Sequence, residues 1–281
     1  MSPVMRVRDY ISDMLPCSRL RTLLFVAIAL PASSRIFLAQ DIPADKKMEL
    51  LTAAQSKYYN LRAAGLKSFS CKVDIDWNAF FISTNGKALP ADDPMQKYLS
   101  SSQLSVNSDL DGHTDLSWAN TGAPPQGGEE NASQLRDSMK GVLGGFFVAW
   151  LPSLSGALIP PAAASSIKAT PAGYIVDGSA DKETEQLTMD KQLVIQHLSA
   201  KSETSATEMD ISFTPSSSGL LLTKLDSVTH EPPTGPPTHI VMSTTFQPVA
   251  SFQLPDSLTF LLTNVGTFKM RLTGCTVQKQ P

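Results

Sequence analysis

The sequence is poor in the side chains that most often carry chemistry. It holds four histidines in 281 residues, His113, His197, His230 and His239. None falls at a spacing that would present two metal ligands on one helical face. Its three cysteines include no CxxC pair, which removes thioredoxin-like redox chemistry. A GxSxG elbow, a phosphate loop and a GxGxxG fingerprint are all missing, and GVLGG lacks the Lys-Ser/Thr that would continue a phosphate-binding loop. The net charge is −3 and no basic stripe is present, so the chain has no electrostatic footprint for nucleic acid. These absences predict a non-enzymatic protein without metal or cofactor. Asp74 and Asp76, two apart on an expected strand, read as a solvated outer face.

Charge is also absent from one long run, GVLGGFFVAWLPSLSGALI, residues 141–159. Nine Leu, Ile, Val and Phe residues there would contribute roughly −3 to −5 kcal/mol to membrane insertion. Four glycines, two serines and Pro152 weaken both helix and hydropathy. Gly141 and Gly145 form a GxxxG pair, a helix-dimer device in membranes. Strand-like segments lie on both sides, however, and a span would divide them between two compartments. The run therefore reads either as a filled core helix or as a helix laid over a binding cavity. Met139, Leu143, Phe146, Trp150 and Leu154 make one stripe, which Val142, Phe147, Leu151 and Leu158 widen beyond what one sheet face needs.

The first forty residues carry a processing pattern. Arg6, Arg8, Arg19 and Arg21 precede the apolar segment Leu23 to Leu30, followed by Ala32, Ser33 and Ser34. A basic flank, a short apolar core and small residues predict a signal peptide over 1–40, cleaved after Ser34 or near Ala39–Gln40. Eight apolar residues are too few for a permanent anchor. The expected product is exported and periplasmic or extracellular. Residues 1–40 hold five Lys/Arg and two Asp/Glu, so without them 18 basic residues face 24 acidic ones, a net of −6. Cys71 and Cys275 remain, each in a strand-like segment. In an oxidising compartment they are expected to pair, the alternative being two buried free thiols.

Periodicity organises the rest. Leu50, Leu51, Ala54, Tyr58 and Leu61 give one helical face, with Gly65 at the expected C-cap. FSCKVDIDW then alternates, with Phe69, Cys71, Val73, Ile75 and Trp77 on one side. QLSVNSDL and TDLSW flank Asp111–Gly112, a hairpin dipeptide. GYIVDG, TEQLTMDKQLVIQHLSA with a turn near Asp190–Lys191, ATEMDISFTP, SGLLLTKLDSVTH, THIVMSTTFQPV and SLTFLLTNVGTFKMRLTGC follow as further strands. Serial strands with short turns predict an antiparallel meander. Residues 119–134 read as a polar loop, and the following helix is expected to break at Pro152 and close at Pro160–Pro161. The prediction is one α+β domain over 41–281: a curved antiparallel sheet with an N-terminal helix and a central helical insertion.

TTFQPVASFQLPDSL, 244–258, resembles the closing segment of the LolA-like superfamily, periplasmic carriers of outer-membrane lipoproteins and their relatives. Phe246, Gln247, Val249, Phe252, Leu254 and Pro255 carry the likeness. LLTAAQSKYYNLRAAGLKSFSCKVDIDW is similar to the family's first helix and strand at Tyr58, Leu61, Leu66 and Phe69, and SFTPSSSGLLLTKLDSV to a later hairpin. The loop at 119–134 and the proline-rich 231–237 depart from the pattern. The resemblance implies a half-open β-barrel under helices, with a hydrophobic cavity for acyl chains and the apolar helix as its lid. The partner would then be a lipid or lipidated protein. Trp77, Phe146, Phe147, Trp150, Leu154, Phe213 and Phe246 are the expected cavity-facing residues. A non-catalytic interaction module of the cell envelope with a filled core is the alternative, and an exported hydrolase a third.

Overall fold

Alternating burial makes FSCKVDIDW a strand, but the strand stops two residues short of its tryptophan. In the computed structural model, which describes residues 40–280 except 111–112, 121, 156–157, 181–182 and 264–265, β2 spans Leu66–Ile75. Phe69, Cys71 and Val73 are buried on one face, while Lys72 and Asp74 are exposed. Asp76 then ends the strand, because its carboxylate accepts the Ala79 N–H at 2.9 Å and caps a helix, α2, Trp77–Asn85. Gly86 closes that helix in the left-handed conformation at φ 74°. Trp77 thus belongs to a helix and not to the strand expected of it. Asp76 is a cap, not the second carboxylate of an outer face. Asp74 does face outward, accepting a hydrogen bond from the Thr273 hydroxyl at 2.9 Å.

Among the described residues thirteen strands form one antiparallel sheet, not closed into a barrel. Its order is β1 (Gln40–Asp41), β5 (Ser165–Ala169), β6 (Gly173–Ala180), β7 (Glu183–Asp190), β8 (Ile195–Lys201), β9 (Ala206–Ser216), β10 (Gly219–His230), β11 (Pro237–Val249), β12 (Phe252–Leu262), β13 (Gly266–Lys279), β2, β3 (Ser102–Asp109) and β4 (Thr114–Asn120). Register shifts at Leu222/Lys224, Thr244/Phe246 and Thr273/Thr276 are bulges, the devices that bend and twist strands. The expected α+β architecture, with an N-terminal and a central helix on an open antiparallel sheet, is what forms. The leader expected over 1–40 lies outside the described residues except for Gln40, which pairs with Ala169 at the β1–β5 edge.

Among the described residues four α-helices accompany the sheet: α1 (Ala44–Gln55), α2, α3 (Pro94–Ser100) and α4 (Glu129–Ser155). The Asp93 carboxylate caps α3 by accepting from Met95 N–H, and Pro94 fills the first turn. α4 begins inside the stretch expected to be loop and continues through Pro152 for three residues. A proline near a C-terminus bends a helix more readily than it ends one. α4 also carries the chain from β4, one edge of the sheet, to β5 beside the other. It is the crossover of the fold, a stronger tie than an insertion.

The N-terminal helix ends ten residues before Gly65. Lys57, Tyr58 and Tyr59 leave it to form a strap across one end of the sheet. Tyr59 N–H donates to Leu220 O at 3.0 Å and Leu220 N–H to Lys57 O at 2.8 Å. The Tyr58 hydroxyl accepts the Ile195 N–H at 2.7 Å and donates to Leu193 O at 3.3 Å. The Tyr59 hydroxyl accepts from Gln253 N–H at 2.9 Å. Three hairpin turns, β7–β8, β9–β10 and β11–β12, are therefore held by three consecutive residues. Two of those turns contain a non-glycine residue at positive φ, Leu193 at 64° and Ala250 at 53°. The third uses Gly219, at φ +123°, where a Cβ would lie 2.7 Å from Tyr59 N.

Cys71 and Cys275 form a disulfide between β2 and β13, at the bulge in their pairing. The pairing expected in an oxidising compartment is thus made.

Candidate functional site

α4 meets the sheet through an aromatic junction. Phe146 and Trp150, four residues apart on one helical face, stack at 5.4 Å. Phe147 lies 4.9 Å from Phe146 and 6.1 Å from Trp150. Three strands answer them: Phe69 of β2 at 5.9 Å from Phe147, Phe260 of β12 at 5.8 Å from Phe146, and Phe246 of β11 at 6.2 Å from Trp150. Met139, Leu143, Phe147 and Trp150 are all at 0–1 % exposure, so the stripe read from the sequence is the buried face of the helix. Each buried aromatic of this size contributes about 1.5–3 kcal/mol through area alone, and each ring pair about 0.5–1.5 kcal/mol beyond that.

The seven expected cavity residues divide. Phe146, Phe147, Trp150 and Phe246 converge in the junction. Trp77 belongs to a neighbouring cluster, 6.1 Å from Trp118 and 6.2 Å from Phe80, which stacks on Phe268 at 4.8 Å. Phe213 pairs with Tyr58 at 4.9 Å, under the strap. The Leu154 side chain lies outside the described residues. Phe69, Phe260, Met139 and Leu143 complete the junction. Phe69 was marked by its alternating strand and by the family resemblance, Phe260 only by its place in a strand-like segment.

Cross-strand register reveals a further feature of the same face. Ile211, Leu225, Met242, Phe260 and Phe268 form one row across β9 to β13, and four of the five are at 2–5 % exposure. Two residues along each strand, Leu187, Leu198, Met209, Ser227, Ile240 and Leu262 form the next row, across β7 to β12. Leu187 is buried, but the other five are only half-buried. The core-side face of the sheet therefore continues past its cover as an apolar strip of Leu198, Met209, Ile240 and Leu262, interrupted by one serine. At about 4.8 Å per strand the strip is roughly 20 Å wide.

The centre of α4 is also softer than its packing requires. A Cβ added at Gly141, Gly144 or Gly145 would meet nothing within 4 Å. Each glycine lowers helix stability by about 0.8–1 kcal/mol relative to alanine, and no close approach requires it.

His230 and His239, which flank the proline-rich loop, have different partners: His230 Nδ1 contacts Gly235 O at 2.8 Å, and His239 Nε2 contacts Asp226 at 2.6 Å. Among the described residues no group of three or more His, Cys, Asp or Glu could hold a metal ion. Nor is any described helix long and apolar enough to cross a membrane. The Tyr58 phenol has its pKa pushed up to about 12, by burial first, against the hydrogen bond from Ile195. It is a structural hydroxyl.

No protein-family model matches the chain. No curated protein matches it either. Among solved structures, a distant likeness is to a crystal structure from Vibrio parahaemolyticus, provisionally described as an outer membrane lipoprotein-sorting protein domain. That match covers 84 % of this chain and 94 % of the other at 9 % identity, with a TM-score of 0.28.

Proposed function

We propose that this is an exported carrier that reversibly sequesters an acyl chain, of a lipid or lipidated protein, between α4 and the core-side face of the sheet. The observation that carries the reading is the half-buried strip Leu198, Met209, Ile240 and Leu262, contiguous with the row beneath the aromatic junction. An acyl chain laid there gains about 0.8 kcal/mol per buried methylene. Shifting α4 would extend the strip into the junction, and three unpacked glycines lower the resistance of the helix to that shift. The residue resemblance at Phe246 to Pro255 supports the same reading, and the disulfide suits an oxidising compartment.

A second reading has its own support. Phe146, Phe147 and Trp150 are so completely packed that they also describe a permanent core, as in a structural module of the cell envelope. The two separate in one experiment. The purified protein is examined by native mass spectrometry with lipid extraction, then titrated with a fluorescent fatty acid. The carrier binds the probe, and Met209→Asp or Leu262→Asp weakens binding roughly tenfold, equivalent to about 1.4 kcal/mol. A folded protein that contains no lipid and takes up no probe is the envelope module instead.

A further inference from the structure

Behind the apolar strip, on the opposite face of the same strands, lies a cluster of histidines and carboxylates. His197 of β8 is held from both sides: its Nδ1 is 2.8 Å from Asp210 and its Nε2 2.7 Å from Glu208, both on β9. His239 of β11 reaches Asp226 of β10 at 2.6 Å, and Lys224 reaches the same carboxylate at 3.0 Å. The register puts Asp210 directly opposite Asp226, a like-charge pairing that weakens a sheet unless compensated. Each member alternates with a member of the strip: His197 precedes Leu198, Glu208 and Asp210 flank Met209, Asp226 precedes Ser227, and His239 precedes Ile240.

The geometry points to a proton-operated zip, in which protonated His197 joins β8 to both carboxylates of β9, beside the His239–Asp226 tie of β11 to β10, and firms the apolar strip on the other face. This rests on the carrier reading for its consequence, not for its existence. A neutral imidazole has one N–H, so it can donate to only one of the two carboxylates that flank His197; the imidazolium donates to both. Deprotonation of His197 leaves Glu208 and Asp210 beside Asp226, to which Lys224 is paired. Facing His197 from β7 are Thr188 and Gln186, and along β8 Ser199 and Lys201. Facing His239 at the end of β12 is Thr263, whose N–H donates to His239 O at 3.0 Å, with Leu261 diagonal to it, and from β10 Val228 and His230 accompany Asp226. Lys201, diagonal to Glu208, is a further cation along this face, but it has no contact with Asp210 across from His197.

The directions of titration agree. His197 is raised above its ordinary value, by the hydrogen bond to Asp210 first and with Glu208 adding to it. A raised histidine contributes its stability fully below about pH 6.5 and loses it as pH climbs through the raised value. Asp226 is lowered, by the His239 hydrogen bond first and Lys224 second. Its contribution is present above the ordinary carboxylate range near about pH 4 and disappears as pH falls through the lowered value. The zip is closed between those limits, in mild acid.

Hydrogen exchange of the full chain, at about pH 5.5 and about pH 8 and corrected for the intrinsic chemical rate, tests it. Peptides covering β8 and β9 should open on the order of fivefold more at the higher pH, the low end of known coupling between linked sites. His197→Gln should show the high-pH behaviour at both, whereas His113→Gln, far from the cluster, should behave as wild type. Dissociation of a fluorescent fatty acid should quicken at the higher pH in the wild type only. Exchange that ignores pH, or a pH response that survives in His197→Gln, overturns the zip. A pH response in exchange without one in release overturns its coupling to the strip. A protein that takes up no fatty acid at either pH but retains the His197-dependent exchange supports the zip and sinks the carrier reading.

Discussion

Replacing Tyr58 by phenylalanine removes a single oxygen and tests how the end of the sheet is held. The Tyr58 hydroxyl is the acceptor for Ile195 N–H, and Ile195 is at 0 % exposure, so no water replaces the missing group. An orphaned buried N–H costs about 1–3 kcal/mol. The ring itself stays, with its edge contact to Phe213, so no cavity term is added. The same hydroxyl steadies Leu193, whose φ of 64° is a conformation worth about 1–3 kcal/mol of strain for a branched residue. The expected loss is therefore about 2 kcal/mol, most of it from the N–H. Equilibrium urea unfolding followed by tryptophan fluorescence measures it, with the slope unchanged if the denatured state is unaffected. The pH dependence adds a sign. Because the Tyr58 pKa is raised in the folded state, to about 12, its contribution is complete below about pH 10 and is lost as pH climbs from there towards 12. Tyr58→Phe should lack that alkaline loss. A variant within about 0.5 kcal/mol of wild type, the size of an ordinary surface substitution, would show that the strap does not hold the β7–β8 turn.

Gly145→Ala should stabilise the folded protein by up to about 1 kcal/mol in thermal or urea unfolding, since the added methyl group meets no neighbour. If α4 must shift for loading, the same variant should take up a fluorescent fatty acid more slowly in stopped flow. Reduction of the Cys71–Cys275 bond, or the double alanine variant, should lower stability by about 2–5 kcal/mol because the closed loop is long. The loss should be seen as earlier exposure of β2 and β13 in hydrogen exchange.

Local patterns were readable where one physical preference acted alone. Phe69, Cys71 and Val73 alternate against polar neighbours, and they form a strand. Met139, Leu143, Phe146 and Trp150 recur at helical spacing, and they form the buried face of α4. Where two preferences competed, periodicity was the weaker guide. Trp77 continues the alternation of β2, but Asp76 caps a helix more strongly than the pattern extends a strand. Tyr58 continues the spacing of α1, yet its hydroxyl is taken by a turn more than 130 residues away. Neither α2 nor α3 was expected, although Asp76 with Gly86, and Asp93 before Pro94, are the residue types that bound helices. Residue type and spacing brought Phe146, Phe147, Trp150 and Phe246 together, whereas Trp77 and Phe213 pack in other aromatic clusters. The strip of Leu198, Met209, Ile240 and Leu262 had no such signal. It exists only because five strands happen to share a register, and register depends on turns and bulges that no single segment encodes.

The position of β13 has a consequence for the timing of synthesis. β2 is made early, yet one of its two neighbours in the sheet is a strand some 200 residues later, bound to it also through sulfur. Until that strand leaves the ribosome, β2 keeps an open edge, and β2–β4 have no strand pairing to the rest of the sheet. Pairings of such sequence separation form slowly, because loop closure must precede any reward. The growing chain thus stays short of its final topology throughout most of its elongation. A polypeptide that must pass through a narrow channel before folding gains from that delay, and the one that folds here receives its locking strand late.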